Sequence, residues 1–373
     1  MSEPGVRCMI MRGGTSKGAY FLADDLPSDV ALRDDLLMRI MGTPDARQID
    51  GVGGAHPLTS KVAVVSSSAR DEADVDYLFL QVGVDAATVS GQQNCGNLLS
   101  GIGPFALERG LVAASRDATT CSVRIHMVNT DSVATATFAV HDGGPDYSGG
   151  DSGTSLAAID GVPGEAATIT LDFEDIAGGS CGALLPTGNS VDVIDDIEVT
   201  MIDNGMPVVV MRADAMGITG TESPAELEAD DRLRTRLESI RLQAGPLMHL
   251  GDVTDATVPK MSMVSAPTAG GHISTRTFIP HRCHEAIGVL GAVSVATAAL
   301  LPDSPAASVA RFGDDRGVIV CEHPTGSFTA TIDIVAGNRP IDVRRAGIVR
   351  TARKLMDGTV YPRPAAPTDT PSR

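Results

Sequence analysis

The sequence predicts an α+β protein of two homologous domains, each a mixed β-sheet rolled around a central apolar helix. Three observations carry this. The chain has 373 residues, and about 100–200 residues per domain gives two domains. Five sequence blocks recur in the same order in both halves. The longest apolar run, Ala286–Leu301, is 16 residues broken by Ser294 and Thr297. It falls short of the ~20 residues of a membrane span and reads as a helix buried on all sides.

The blocks justify each element in order. Cys8–Pro27 and Val199–Gly217 both read apolar strand, Gly-bearing turn, apolar strand, then Ala-Asp. Leu32–Gly42 and Ala229–Gly245 are helical by period, each ended by Gly. Leu58–Ser68 and Val258–Pro267 each bring a Lys into an apolar strand. Asn94–Gly110 and Arg282–Leu300 each have a Cys opening an apolar, Gly-containing helix, and Gly288 and Gly291 are expected to let the sheet approach closely. Val123–Val140 and Val318–Val335 read as hairpins. Lys61 and Lys260 are 199 residues apart, Cys95 and Cys283 188, and Ser132 and Ser327 195. Such constancy points to duplication. The expected domains are 1–190, joined by 346–362, and 191–345, with a Pro-rich disordered tail at 363–373. His141–Gly164, with seven glycines, is an elaborated connection. Two facing domains would form a cleft, and the two Cys-bearing helix starts are the elements expected to line it.

Composition excludes several function classes. Lys+Arg is 29 against Asp+Glu 47, a net charge of −18. So acidic a chain is a poor binder of nucleic acid and of anionic membranes. Aromatics at 3% with no Trp supply no base-stacking platform. The N-terminal MSEPGVRCMIMRGG lacks a signal-peptide core. The six cysteines contain no CxxC pair. Reduced thiols in a cytoplasmic protein are the expectation.

The acidic residues leave gaps. None occurs between Glu3 and Asp24, Asp50 and Asp71, Asp85 and Glu108, or Asp255 and Glu285. Three of the four lysines, Lys17, Lys61 and Lys260, lie in these gaps, as do Arg276 and Arg282. Buried strands would lose their acids anyway, but that does not explain why the cations remain. A positive site in an acidic protein suits a small anionic substrate.

Cys95 stands between Gln92-Gln93-Asn94 and Gly96-Asn97 at an expected helix start. Free N–H groups and the dipole there favour an anion and a reactive thiol; the alternative is an inert buried Cys. Lys61, entering Val62-Ala63-Val64-Val65, would be partly desolvated, and a desolvated ammonium gives up its proton more easily. The alternative is a snorkelling surface lysine. Arg12-Gly13-Gly14-Thr15-Ser16-Lys17-Gly18 lacks the ending of a phosphate loop, but a Gly-rich turn could hold a carboxylate. His281-Arg282-Cys283-His284 has no third ligand spaced nearby, so it reads as an anion site with acid–base duty and not a metal site. Cys181, in Gly179-Ser180-Cys181-Gly182, reads as structural.

Taken together, MRGGTSKG, IDGVGGAHPLTSKVA, NCGN, SCGALLPTGN, IDNGMPVV and IPHRCHEAIGVLGAVSVATA resemble the PrpF-type isomerases, distant relatives of diaminopimelate epimerase. The likeness covers nearly the whole chain. Within the family it is greatest to the 4-oxalomesaconate tautomerases and Δ-isomerases of gallate and protocatechuate catabolism; a second branch isomerises 2-methylaconitate. The resemblance implies a cofactor-free, cytoplasmic isomerase of unsaturated tricarboxylates. Its catalytic lysine and cysteine match Lys61 and Cys95. Thr15, Ser16, Lys17, Ser60, Gly96, Asn97, Arg276, Arg282, Cys283 and His284 are the expected substrate-binding residues. Diaminopimelate epimerase uses two facing cysteines, so a Cys95–Cys283 mechanism stays open. A pyridoxal-phosphate racemase built on Lys61 lacks a phosphate cup, and a non-enzymatic tricarboxylate-binding protein is the reading of another class. The sequence leaves the oligomeric state open, a homodimer among the options.

Overall fold

Residues 4–91, 94–150, 152–313, 316–335 and 341–365 are described in the computed structural model of the chain. Gln92, Gln93, Asp151 and most of the tail expected to be disordered, 366–373, lie outside them. The chain divides into two compact units, Met1–Leu171 with Arg350–Arg373, and Asp172–Val349.

The first unit begins with the hairpin read from the sequence. Strands Val6–Gly13 and Ser16–Leu22 pair antiparallel through the turn at Gly14-Thr15. Ala352–Val360 flanks the first of these strands. Lys61–Ser67 lies parallel to the second, with Gly18 opposite Lys61. Val75–Val82 follows antiparallel, then Thr120–Met127 parallel to it, which closes a hairpin with Ser132–His141. The sheet is therefore mixed. Helix Val30–Met41 starts at Asp29, whose carboxylate accepts the Leu32 N–H, and stops at Gly42, which takes the left-handed φ of 82°. It buries Leu37, Ile40 and Met41 against Ala19, Phe21, Val62, Val64 and Leu80. Because strand side chains alternate, Ser16, Gly18, Tyr20, Lys61 and Ala63 face the other way. That face receives the Cys95 segment.

The second unit repeats the same strand order. Ile197–Asp203 and Pro207–Arg212 form the hairpin, and Lys260–Ser265 lies parallel to the latter. Ile273–Phe278 follows antiparallel, Val318–His323 parallel, and Gly326–Val335 closes the second hairpin. Helix Asp231–Leu247 packs on Val209, Met211, Met261 and Met263. The apolar helix Val289–Leu300 packs on Pro207–Arg212 and Gly326–Val335. The fold is thus α+β, with an apolar helix set on one face of each mixed sheet. Among the described residues no helix is long and apolar enough to cross a membrane.

Four local expectations are corrected. Helix Asp231–Leu247 runs through Gly245 and Pro246 instead of ending at the glycine. Gly245 is needed for packing, since a Cβ there would lie 2.6 Å from Val253. The helix after Cys95 is two pieces, Gly96–Leu99 and Ile102–Glu108, broken at Ser100-Gly101. Cys283 opens no helix: it bridges Phe278, and the helix starts later, at Gly288. Gly288 and Gly291 make no close approach among the described residues, for a Cβ at either meets none of them within 4 Å. The segment after Cys95 does make close approaches, for Cβ atoms on Gly101 and Gly103 would lie 2.5 Å from the Tyr20 hydroxyl and 2.6 Å from the Phe138 ring. His141–Gly164 carries part of a small hairpin, Leu156–Ile159 with Val162–Ala167.

A buried lysine–cysteine pair as the candidate active site

Lys61 enters its strand facing the Cys95 segment. Both residues are buried, 9% and 7% exposed. The Lys61 Nζ lies 3.3 Å from the Cys95 Sγ. It also stands 5.7 Å from the centre of the Phe79 ring, within the range of a cation–π contact. No carboxylate among the described residues pairs with Lys61. The thiol is thus its polar partner in an apolar setting.

Two tyrosines hold the Cys95 turn. Tyr77 Oη donates to the Cys95 carbonyl at 3.4 Å, and Tyr20 Oη to the Leu98 carbonyl at 2.7 Å. Burial, and then the nearby Cys95 sulfur, pushes both phenols well above their ordinary range, so they stay neutral donors. Asn94 Oδ1 accepts the Cys95 N–H at 2.8 Å. The expected helix dipole at Cys95 is weak, because the helix it opens has four residues. The polar group set against this thiol is the Lys61 Nζ. The Gly96 and Asn97 N–H groups, first in that turn, meet no acceptor among the described residues.

The Gly13-Gly14 turn packs against the same segment. A Cβ on Gly13 would lie 2.4 Å from the Asn97 carbonyl oxygen, and one on Gly14 would lie 2.2 Å from Asn97 Oδ1. Asn97 Nδ2 donates to Thr15 Oγ1 at 3.1 Å. Ser16 Oγ and Asn97 Oδ1 are buried without a partner among the described residues. Arg12 Nη1 ties the turn down through the Gly14 and Thr351 carbonyls, at 2.9 and 3.0 Å.

The other expected site residues have partners within their own units. Ser60 Oγ donates to Gln48 Oε1 at 2.7 Å. Lys17 alternates with Ser16 and Gly18 and so leaves the opposite face of the sheet, where its Nζ approaches Gly54. In the second unit, Arg276 is buried; its Nε donates to the Glu222 carbonyl at 2.6 Å and its Nη1 to the Thr275 carbonyl at 2.9 Å. Arg282 is exposed and pairs with Glu228 at 3.3 Å. Cys283 N donates to the same carboxylate at 3.0 Å. His284 Nδ1 accepts the Ala286 N–H at 2.9 Å, and burial holds its pKa below the ordinary value. Cys181 is buried and pushed up to about 12 by burial and by Asp203. Among the described residues no group of three or more His, Cys, Asp or Glu could hold a metal ion.

Sequence reading passed over Tyr20, Tyr77, Phe79 and Gln48. The first two had a signal. Tyrosine occurs only four times, and each of these stands in an apolar strand where its hydroxyl needs a partner.

Residues 5–363 match the family described as PrpF protein. The chain is 56% identical over 361 residues to the 4-oxalomesaconate tautomerase of Pseudomonas putida, covering 96% of this chain and 97% of that one. It is 58% identical over 356 residues to the (4E)-oxalomesaconate Δ-isomerase of Novosphingobium sp. strain KA1, covering 95% and 96%. A crystal structure of methylitaconate-Δ-isomerase superposes with a TM-score of 0.88 over 100% of both chains at 32% identity. With residues 5–363 matched to the family and its fold shared with an isomerase of known structure, the chain belongs to the PrpF family.

Proposed function

We propose that the chain is an isomerase of 4-oxalomesaconate that relocates one proton through Lys61 and Cys95 without a cofactor. The carrying observation is the buried 3.3 Å contact between Lys61 Nζ and Cys95 Sγ. High identity to two enzymes named for 4-oxalomesaconate supports the substrate.

The chemistry follows from the pair. A carbon acid next to a carbonyl or a double bond gives its proton to the Lys61 amine. The electron pair left behind delocalises as a dienolate. The Cys95 thiol then delivers its proton to another atom of that dienolate. This leaves an ammonium and a thiolate in contact, and one proton passes from nitrogen to sulfur to restore the starting pair. No electron leaves the substrate, and one proton has moved. The Gly96 and Asn97 N–H groups and the unpartnered Ser16 hydroxyl supply donors to the developing charge, and Thr15 stands beside them at the exposed side of the turn. Burial of Lys61 and Cys95 keeps water from protonating the intermediate at random.

The test is NMR of 4-oxalomesaconate turnover in D₂O. Deuterium should enter the product at the reprotonated atom, which distinguishes a keto–enol shift from an allylic one. Isomerisation with no deuterium in product or residual substrate would refute the two-group mechanism. Inertness towards 4-oxalomesaconate with turnover of 2-methylaconitate would move the chain to the other branch of the family. Binding with no isomerisation of either would make it a tricarboxylate-binding protein.

A further inference from the structure

The Cys95 segment approaches its site alongside strand Val75–Val82. Ser90 and Val89 pair antiparallel with Gln81 and Val82. Two positions before Gln81 on the same strand, Phe79 presents its backbone groups. The side chain of Asn129 takes up both of these groups. Its Oδ1 accepts the Phe79 N–H at 2.8 Å, and its Nδ2 donates to the Phe79 carbonyl at 2.9 Å. The second Nδ2 hydrogen reaches the Gly91 carbonyl at 2.8 Å. One amide thus uses its acceptor and both donors. A Cβ on Gly91 would lie 3.3 Å from this nitrogen, so the glycine leaves the amide room.

Asn129 comes from the turn between strands Thr120–Met127 and Ser132–His141. Val128 N donates to the Tyr77 carbonyl at 3.0 Å, which extends the pairing up to the amide. The two backbones clamped by Asn129 are those that build the pair: Phe79 puts its ring beside Lys61 Nζ, and Gly91 leads within four residues to Cys95.

We propose that Asn129 is a positioning residue for the Lys61–Cys95 pair, fixing the Cys95 segment against the Phe79 strand so that sulfur and nitrogen stay in contact. This rests on the reading of that pair as the acid–base machinery. Asn129 touches neither Lys61 nor Cys95 and acts through Phe79 and Gly91. A merely structural amide would change melting temperature and leave the folded enzyme's chemistry alone.

The experiment compares Asn129→Asp and Asn129→Ala with Thr130→Ala, a neighbour in the same turn. The Asp variant keeps the acceptor and turns an oxygen towards the Phe79 and Gly91 carbonyls. Both Asn129 variants should lose about 10- to 100-fold in kcat with KM within about threefold, the loss expected of a misplacement near 1 Å. Their Cys95 labelling by iodoacetamide should shift by at least about tenfold, read by peptide mapping, while half-exposed Cys121 labels at the wild-type rate. Wild-type kcat and wild-type Cys95 labelling in both variants would overturn the proposal. So would failure of both to fold where Thr130→Ala folds, because Asn129 would then belong to the fold and not to the site. Cys95→Ser separates the two readings. If it keeps wild-type turnover, the acid–base assignment fails, while the labelling comparison still decides whether Asn129 sets the position of Cys95.

Discussion

Each unit carries a lysine at the start of the same strand and a cysteine at a matching place in the repeat, but only one of the two pairs is joined. In the first unit Lys61 Nζ touches Cys95 Sγ at 3.3 Å. In the second, Lys260 Nζ donates to the Thr257 carbonyl at 2.5 Å, and the Cys283 Sγ donates to its neighbour's carbonyl, that of His284, at 3.8 Å. The difference lies in what precedes the helix. Cys95 is itself the N-cap of the short helix on the lysine's face of the sheet. Cys283 is bridged to Phe278 well before its helix begins at Gly288. The duplication kept the strands and moved the thiol. A repeated sequence position is therefore no guarantee of a repeated site.

The largest expected effect breaks the comparison at its lysines. Lys61→Met should lower kcat by at least about 10²-fold, since acid–base groups contribute about 10²–10⁴. Lys260→Met removes one donor to a backbone carbonyl and should leave kcat within about threefold. Steady-state turnover of 4-oxalomesaconate by both folded variants is the measurement. Equal losses in the two would mean that both lysines act in the chemistry.

The thiols come next. Burial, partly offset by Arg276 and reinforced by Glu228, pushes Cys283 up to about 11. At pH 8 only about one part in 10³ of it is thiolate. Iodoacetamide at pH 8 should therefore label Cys95, which contacts the Lys61 Nζ at 3.3 Å, well before Cys283, and a tricarboxylate ligand should protect Cys95. Between pH 8 and 10 the Cys283 rate should rise about hundredfold. Early labelling of Cys283 with loss of activity would move the site to the second unit. Cys8, Cys181 and Cys321 are likewise raised, to about 12, chiefly by burial. The folded chain keeps these four protons where an unfolded chain, with thiols near 9.0, has released them. Stability should fall as pH climbs above about 9 through 11 and 12, which thermal unfolding across that range would measure.

A smaller effect is expected at the turn facing Cys95. Gly13→Ala would set a methyl 2.4 Å from the Asn97 carbonyl oxygen, a backbone atom that cannot swing aside. A loss of about 1–3 kcal/mol is expected from such overpacking. Because the displaced residue adjoins Cys95, kcat should fall as well. Unchanged kcat in the destabilised protein would detach the turn from the site.

How far the sequence was readable depended on what each signal measures. Period and glycine punctuation placed the hairpins and ended a helix at Gly42, while its start at Asp29 lay before the expected Leu32. The pairing of Lys61 with Cys95 was legible from acid-poor surroundings and rare lysines, and from resemblance. Gly245 misled because a helix-ending residue can be kept for contact, here with Val253. The break at Ser100-Gly101 was hidden inside one apolar stretch, where composition does not show that Tyr20 needs room beside Gly101. Lys17 looked like part of a binding turn, but strand alternation sends it to the other face. Asn129 gave no signal, since a side-chain amide taking up a strand's backbone groups depends on a neighbour fifty residues away.

The two inner helices carry the comparison to its finest level. Both contain glycines, and glycine is expected to serve close packing at Gly288 and Gly291 of the second. It does so in the first, where a Cβ on Gly103 would enter the Phe138 ring at 2.6 Å. Gly103→Ala should therefore destabilise by about 1–3 kcal/mol. Gly291 sits inside helix Val289–Leu300, and a Cβ there meets nothing within 4 Å among the described residues. Its φ is not in the left-handed region, so alanine fits the backbone without strain. Glycine in a helix interior forfeits about 0.5–1 kcal/mol relative to alanine, mostly as freedom the unfolded chain retains. Gly291→Ala should thus stabilise the protein by that amount, read as a higher denaturant midpoint at an unchanged m-value. Destabilisation would mean that an atom absent from the chain's own contacts occupies the space beside Gly291, and the two helices would then share the packing role that their surroundings now divide.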